Sequence, residues 1–263
     1  MNDRTQLPRA ALRQQLLTDR LIGVRSVPLP SFGLRVLGSR VSTARPGAPQ
    51  AGSAPGARRA DAAVVAEKAA RLRALDESQV RGCTKCGLCK TRTTTVFGQG
   101  SADARLVFVG EAPGFEEDRQ GLAFVGRAGQ LLTKMIVAMG LARDDVFICN
   151  VLKCRPPNNR DPSADEILSC SPYLLEQLGI IQPEVIVALG SPASKTLLST
   201  ASSVGKLRGR FHDYYPSGIA GVGAAILVMP TYHPAYLLRN PAEKGKAWED
   251  LQMVMTHLGL KRP

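Results

Sequence analysis

Six cysteines are spread over a chain of 263 residues, and their spacing points to metal rather than to disulfides. Cys83-Thr84-Lys85-Cys86 forms a C-x2-C pair, while Cys154 and Cys170 lie further on, bracketing RPPNNRDPSADEILS. The tight turn of a C-x2-C pair aims two sulfurs the same way, and a distant second pair completes four ligands for zinc or for an iron–sulfur cluster. Spacing leaves those two metals level. Cys149 falls within an apolar run, where a small buried hydrophobe is the ordinary role. Cys89, three residues past Cys86, is a substitute ligand in principle. No secretory signal precedes these residues, and a chain this long needs no disulfide staples.

The second chemistry-bearing stretch is residues 106–132, LVFVGEAPGFEEDRQGLAFVGRAGQLL. An apolar run of strand length ends in Gly110-Glu111-Ala112-Pro113-Gly114, acids and glycines follow, and a helical pattern starts after Arg127. The stretch therefore reads as strand, long polar loop, helix. In α/β sheets ligands sit outside the carboxyl ends of the strands, which is where such a loop would mount its side chains.

Four short apolar runs supply the framework: Leu106 to Val109, Val146 to Cys149, Val185 to Leu189, and Ile226 to Met229. Helical patterns separate or follow them at about 128–140, 164–179, 191–199 and 242–258. Strands alternating with helices predict a mostly parallel sheet covered on both faces. Upstream, Ala60 to Val80 predicts a helix, with Val64, Leu72 and Leu75 at near-helical spacing, that delivers the chain to the first cysteines.

Residues 1–58 are rich in Arg, Pro, Ala and Gly and contain the low-complexity run ARPGAPQAGSAPGARR. Such a composition cannot bury enough apolar area to fold, so a disordered basic tail is expected, followed by one folded domain over residues 59–263. The formal net charge is +12, but residues 1–82 carry 14 basic against 6 acidic side chains, and residues 83–263 carry 20 against 16. Most of the excess thus lies outside the catalytic region, and the charge alone is weak evidence for a nucleic-acid face. No apolar run approaches the roughly 20 residues that span a bilayer. A soluble, cytoplasmic, monomeric protein with no membrane partner is expected.

Four blocks in order resemble the family 4 uracil-DNA glycosylases: the C-x2-C at Cys83 and Cys86; GEAPG, EEDRQG and FVGRAGQLL at 110–132; NVLKCRPPNNR at 150–160; and TYHPAYLLR at 231–239. The resemblance covers nearly all of residues 80–258. It implies a three-layer α/β/α sandwich around a four-stranded parallel sheet, and one structural [4Fe–4S] cluster held by Cys83, Cys86, Cys154 and Cys170. The substrate implied is uracil-containing DNA, single- or double-stranded.

Base excision requires the nucleotide to leave the stack, its edge to be read, and negative charge on the departing base to be stabilised. Phe124 matches the family aromatic that stacks on the flipped base. Asn150 ends the second strand, and its amide carries the donor and acceptor that N3–H and O4 of uracil require. His233 follows the fourth strand and matches the donor to uracil O2. Glu117 matches the residue thought to guard C5 against the methyl of thymine. Many other uracil glycosylases place a water-activating Asp where this chain has Ala112, so Ala112 lines the substrate pocket and Glu111 is expected to stabilise the sugar cation. Leu237, Leu238 and Arg239 resemble the segment that wedges into the gap left by the base, and Lys153, Arg155 and Arg160 are candidates for phosphate contacts. Covalently trapping relatives carry a longer basic insert with a histidine before the fourth cysteine; KCRPPNNRDPSADEILSC lacks it, so turnover is expected. The rival readings are a non-catalytic DNA-binding Fe–S protein on the same scaffold and a zinc-stabilised hydrolase of another nucleotide substrate.

Overall fold

Each apolar run becomes a strand because its β-branched and aromatic side chains pack on both faces of a pleated sheet. The computed structural model describes residues 61–216, 218 and 223–261; the basic tail expected over residues 1–58 lies outside them. The strands are β1 (Gln99–Gly100), β2 (Leu106–Gly110), β3 (Phe147–Asn150), β4 (Val185–Leu189), β5 (His212–Tyr214) and β6 (Ile226–Thr231). They form one sheet in the order β1-β3-β2-β4-β6-β5. The four central strands pair in parallel, as the alternating pattern predicts, and β1 and β5 add antiparallel edges. Those edges have only two and three residues, too few for a period-2 signal, which is why the sequence does not announce them. Pro230 sits in β6 opposite Ala188 of β4, beyond the reach of β5, so its missing N–H breaks no ladder on the edge side.

The helices are α1 (Ala62–Leu75), α2 (Phe115–Gln120), α3 (Arg127–Ala138), α4 (Ala164–Ile181), α5 (Ser191–Leu198), α6 (Val204–Leu207), α7 (Pro234–Arg239) and α8 (Lys244–Leu258). Successive strand residues point to opposite faces. Val107, Val109, Ile186 and Ala188 pack with Leu72 of α1, Leu174 of α4 and Leu197 of α5. Phe108, Val185, Val187 and Met229 pack with Ile136 of α3 and Leu251 of α8. Helices on both faces make the three-layer sandwich. Among the described residues no helix is long and apolar enough to cross a membrane.

Two sequence expectations need adjustment. α1 stops at Leu75 and the chain continues as a π-turn over Asp76–Val80, while Val64 is exposed; Leu72 and Leu75 alone of the expected stripe are buried. The long polar loop after β2 contains α2, a helix too short to carry a readable amphipathic period.

The carboxyl ends of β2, β3 and β6 open on one side of the sheet, and the chain visits β3 on one flank of β2 before β4 on the other. This reversal is where open α/β sheets leave a crevice. The end of β6 is fixed by a buried hub: Asp250 of α8 accepts from Thr231 Oγ1 at 2.6 Å, Arg208 Nε at 3.0 Å and the Gly209 amide at 3.0 Å. Thr231 is two residues before His233, so the hub sets where that imidazole enters the crevice.

Candidate active site

A cavity of about 390 Å³ lies at these strand ends and brings together Glu111, Ala112, Glu117, Phe124, Asn150 and His233. Gly110, the last residue of β2, packs directly against two of these side chains. A Cβ there would stand 2.3 Å from Asn150 Oδ1 and 2.5 Å from Phe124 Cζ, so only glycine lets the amide and the ring approach one another. Asn150 is fully buried at the end of β3, and its Oδ1 has no hydrogen-bond partner among the described residues. An orphaned buried oxygen costs about 1–3 kcal/mol, which a ligand carrying an N–H would recover.

Phe124 is held in a left-handed conformation, φ 52°, that non-glycine residues seldom adopt. Three contacts impose it. The Glu117 carboxylate accepts from the amides of Val125 at 2.9 Å and Gly126 at 2.8 Å. The Arg143 guanidinium donates to the carbonyls of Ala123 and Phe124 and to Thr133 Oγ1. Gly129 of α3 lies so close that a Cβ would meet Phe124 O at 1.8 Å. The ring then lies 5.6 Å from the His233 imidazole, centroid to centroid, at an interplanar angle of 35°.

His233 caps α7, and its Nδ1 accepts from the Ala235 amide at 3.1 Å. An accepting Nδ1 has no proton, so in the neutral ring Nε2 carries it and is the donor available to the cavity. Desolvation, followed by the nearby Arg239 cation, lowers its pKa to about 4, so the ring is neutral at physiological pH. Glu111 is half-buried, and desolvation, with Asp161 across the cavity adding like charge, raises its pKa to about 7. Sequence reasoning missed Asp161, although Asp-Pro after the cysteine-flanked NNR is a turn signal. It also missed Arg143, a lone cation for which no pattern exists.

Several expected contacts fall elsewhere. Leu237 is only 1% exposed and belongs to the packing of α7, so of the wedge pair Leu238, 36% exposed, is the one that presents its side chain. Lys153 cannot reach phosphate: it is buried, with Nζ donating to Asn150 O at 2.8 Å and Gln177 Oε1 at 2.6 Å. Arg160 is committed to Glu166, at 2.6 and 2.9 Å, which holds that carboxyl down at about 2. Arg239 is exposed at the rim of the cavity.

A second cavity is lined by Cys83, Cys86, Cys154 and Cys170. Three donors face its sulfurs: Tyr173 Oη to Cys83 Sγ at 3.2 Å, Arg92 Nη1 to Cys154 Sγ at 3.3 Å, and the Lys153 amide to Cys170 Sγ at 3.2 Å. Burial pushes the Cys170 thiol up to about 12, against the opposing pull of the nearby Lys153. Cys89 and Cys149 do not line this cavity. Among the described residues no group of three or more His, Cys, Asp or Glu is arranged to hold a metal ion.

The uracil DNA glycosylase superfamily profile matches residues 97–252. The chain is 47% identical to a type-4 uracil-DNA glycosylase of Saccharolobus solfataricus, over 70% of this chain and 85% of that one. It is 48% identical to a type-4 uracil-DNA glycosylase of Thermotoga maritima, over 62% and 81% of the two chains. It is 41% identical to a type-4 uracil-DNA glycosylase of Archaeoglobus fulgidus, over 70% and 92%.

The close approach at Gly110 has a direct consequence for stability. Gly110→Ala is expected to force Phe124 and Asn150 out of place and to cost about 1–3 kcal/mol, the usual penalty of overpacking. Gly179→Ala, in α4 with nothing within 4 Å of the added Cβ, is expected to stabilise by about 0.5–1 kcal/mol through helix propensity. Denaturant unfolding of the two variants checks the contrast.

Proposed function

The chain belongs to the type-4 uracil-DNA glycosylases of the uracil DNA glycosylase superfamily, and on that footing we propose that it extrudes uracil from DNA and hydrolyses its N-glycosidic bond, leaving an abasic site. The observation that carries the reading is the unpartnered Asn150 Oδ1 in one cavity with the Phe124 ring and the Nε2–H of a neutral His233.

Each part of the cavity has a task in that reaction. Phe124 stacks on the extruded base, which adds affinity without distinguishing bases. The Asn150 amide accepts from N3–H and donates to O4 of uracil; cytosine presents the opposite pattern there and leaves the amide mismatched. His233 donates from Nε2 to uracil O2 as the glycosidic bond breaks and charge gathers on the base. Glu111, ionised, faces the positive charge that develops on the sugar, and the incoming water completes the abasic product. The Ala112 methyl supplies no base to activate that water. Glu117 reaches the cavity wall, but Oε1 is already taken by two amides, so any exclusion of the thymine methyl comes from the fixed bulk of this side chain rather than from a free carboxylate. Leu238 is the wedge and Arg239 the phosphate contact at the rim.

Cys83, Cys86, Cys154 and Cys170 would hold a [4Fe–4S] cluster, which supplies a cross-link between the α1 segment, the β3 exit and α4 rather than a chemical step. The lining supports it: the three donors aimed at sulfur suit a cluster whose thiolates retain negative charge.

Four outcomes test these assignments. With uracil-containing oligonucleotides and alkaline cleavage of the product, the wild type is expected to break the strand at uracil and not at a thymine control. His233→Ala is expected to lose about 10²–10³ in kcat, the usual cost of one such donor; unchanged turnover would remove His233 from the mechanism. Because the Glu111 anion is the active form, kcat/KM should rise with pH through about 7. His233 stays neutral down to about 4 and adds no second break above pH 5. Glu111→Gln should flatten the profile. Protein isolated without oxygen is expected to contain iron and sulfide and no zinc, and Cys154→Ser should lose both; zinc in their place would overturn the cluster assignment.

A further inference from the structure

Phe115, the first residue of α2, is 57% exposed, and its ring carries the Arg155 guanidinium 5.1 Å from its centroid. The pair is tied into the cavity wall from both sides. Pro113 and Gly114, just before Phe115, line the cavity, as does Pro156, just after Arg155. Arg155 Nε also donates at 2.7 Å to Oδ1 of Asn159, itself a lining residue. The ring and the guanidinium therefore stand at the rim of the crevice, outside the space that the extruded base fills.

An exposed cation–π pair gains little for the fold, about 0.5–1 kcal/mol. The same pair is well made for nucleic acid: an aromatic face accepts any base, and a guanidinium reaches the adjoining phosphate or stacks beside the base. Arg160, the neighbouring cation, is neutralised by Glu166 and does not compete for that phosphate.

We infer that Phe115 and Arg155 form a second base-binding subsite, a platform for one unstacked nucleobase flanking the extruded uridine on the same strand. The inference rests on the glycosylase reading and extends it. The uracil strand would then be gripped at two points, in the cavity and on the platform, with Leu238 filling the gap. A strand already free of its complement meets this demand without breaking a base pair, so the platform favours single-stranded substrate.

The test is a thermodynamic cycle with single-stranded oligonucleotides carrying 2′-fluoro-arabinouridine, whose glycosidic bond resists hydrolysis. The base is deleted, one position at a time, at the two positions on each side. Phe115→Ala is expected to weaken binding of the intact oligonucleotide at least roughly fivefold, the lower end for one base–aromatic stack. At one flanking position, deleting the base should weaken binding to the wild type and leave binding to Phe115→Ala unchanged. Phe115→Trp should restore the position-specific loss. Equal losses in wild type and Phe115→Ala at every position, or no loss in the wild type at any, overturn the inference. Uracil release from a cleavable oligonucleotide by wild-type protein is measured alongside. Absence of release removes the glycosylase reading, whereas release without coupling at Phe115 removes the platform alone.

Discussion

The pocket depends on one buried carboxylate. Glu117 places Oε1 against the amides of Val125 and Gly126, and Gly126 is the N-cap of α3. Charge-assisted hydrogen bonds to backbone amides are roughly twice as strong as neutral ones, and the positive end of a helix adds further attraction. Those terms hold the 121–126 loop in a turn it would not otherwise take. From that turn follow the left-handed Phe124, the approach to Gly129 that admits no side chain, and the carbonyls that Arg143 collects. The residue expected to border the base turns out to build the wall on which the base would lie.

Its neighbour faces the other way. Asp118 accepts from the amides of Thr93 and Thr94, at 2.9 and 3.4 Å, just after the first cysteine pair. Lys153 makes a parallel link: its amide meets Cys170 Sγ, while its Nζ spans Asn150 O and Gln177, whose amide reaches Phe97 O. A buried ammonium is tolerable only when its protons are used in this way. The thiol cavity and the pocket are thus linked by hydrogen bonds through α2, the β3 exit and α4. Disturbing the sulfur ligands would reach Asn150 through Lys153 without any contact between metal and substrate.

The legible parts of the fold were those with a long period. Four apolar runs and the helices between them gave the parallel sheet and its two covered faces, because burial on both sides leaves continuous β-branched strings. The site was legible where short blocks carry backbone constraints, as in GEAPG and FVGRAGQLL. What escaped was decided by partners distant in sequence. Nothing in LLR tells that Leu237 turns inward while Leu238 turns out. Nothing in KCRPPNNR tells that Lys153 is buried, Arg155 stacked on Phe115 and Arg160 paired with Glu166. Arg143 reveals its role only once the Ala123 and Phe124 carbonyls are in place. Charge at a position was readable; whether the charge was free was not.

That distinction also governs the chemistry. The cavity sets two titratable groups against each other: burial and Arg239 keep His233 neutral, while burial and Asp161 hold Glu111 near the point of protonation. A cationic imidazole would attract the anionic leaving base more strongly, but it would need charge kept in a desolvated pocket beside Arg239. A neutral donor fixed by the Ala235 amide needs no reorganisation, and its hydrogen bond strengthens only as O2 gains charge, so it favours the transition state over the bound substrate. With no acid at Ala112 to activate water, the proposed reaction leans on departure of the base. Its two charged products, uracil anion and sugar cation, meet an uncharged donor on one side and a carboxylate on the other.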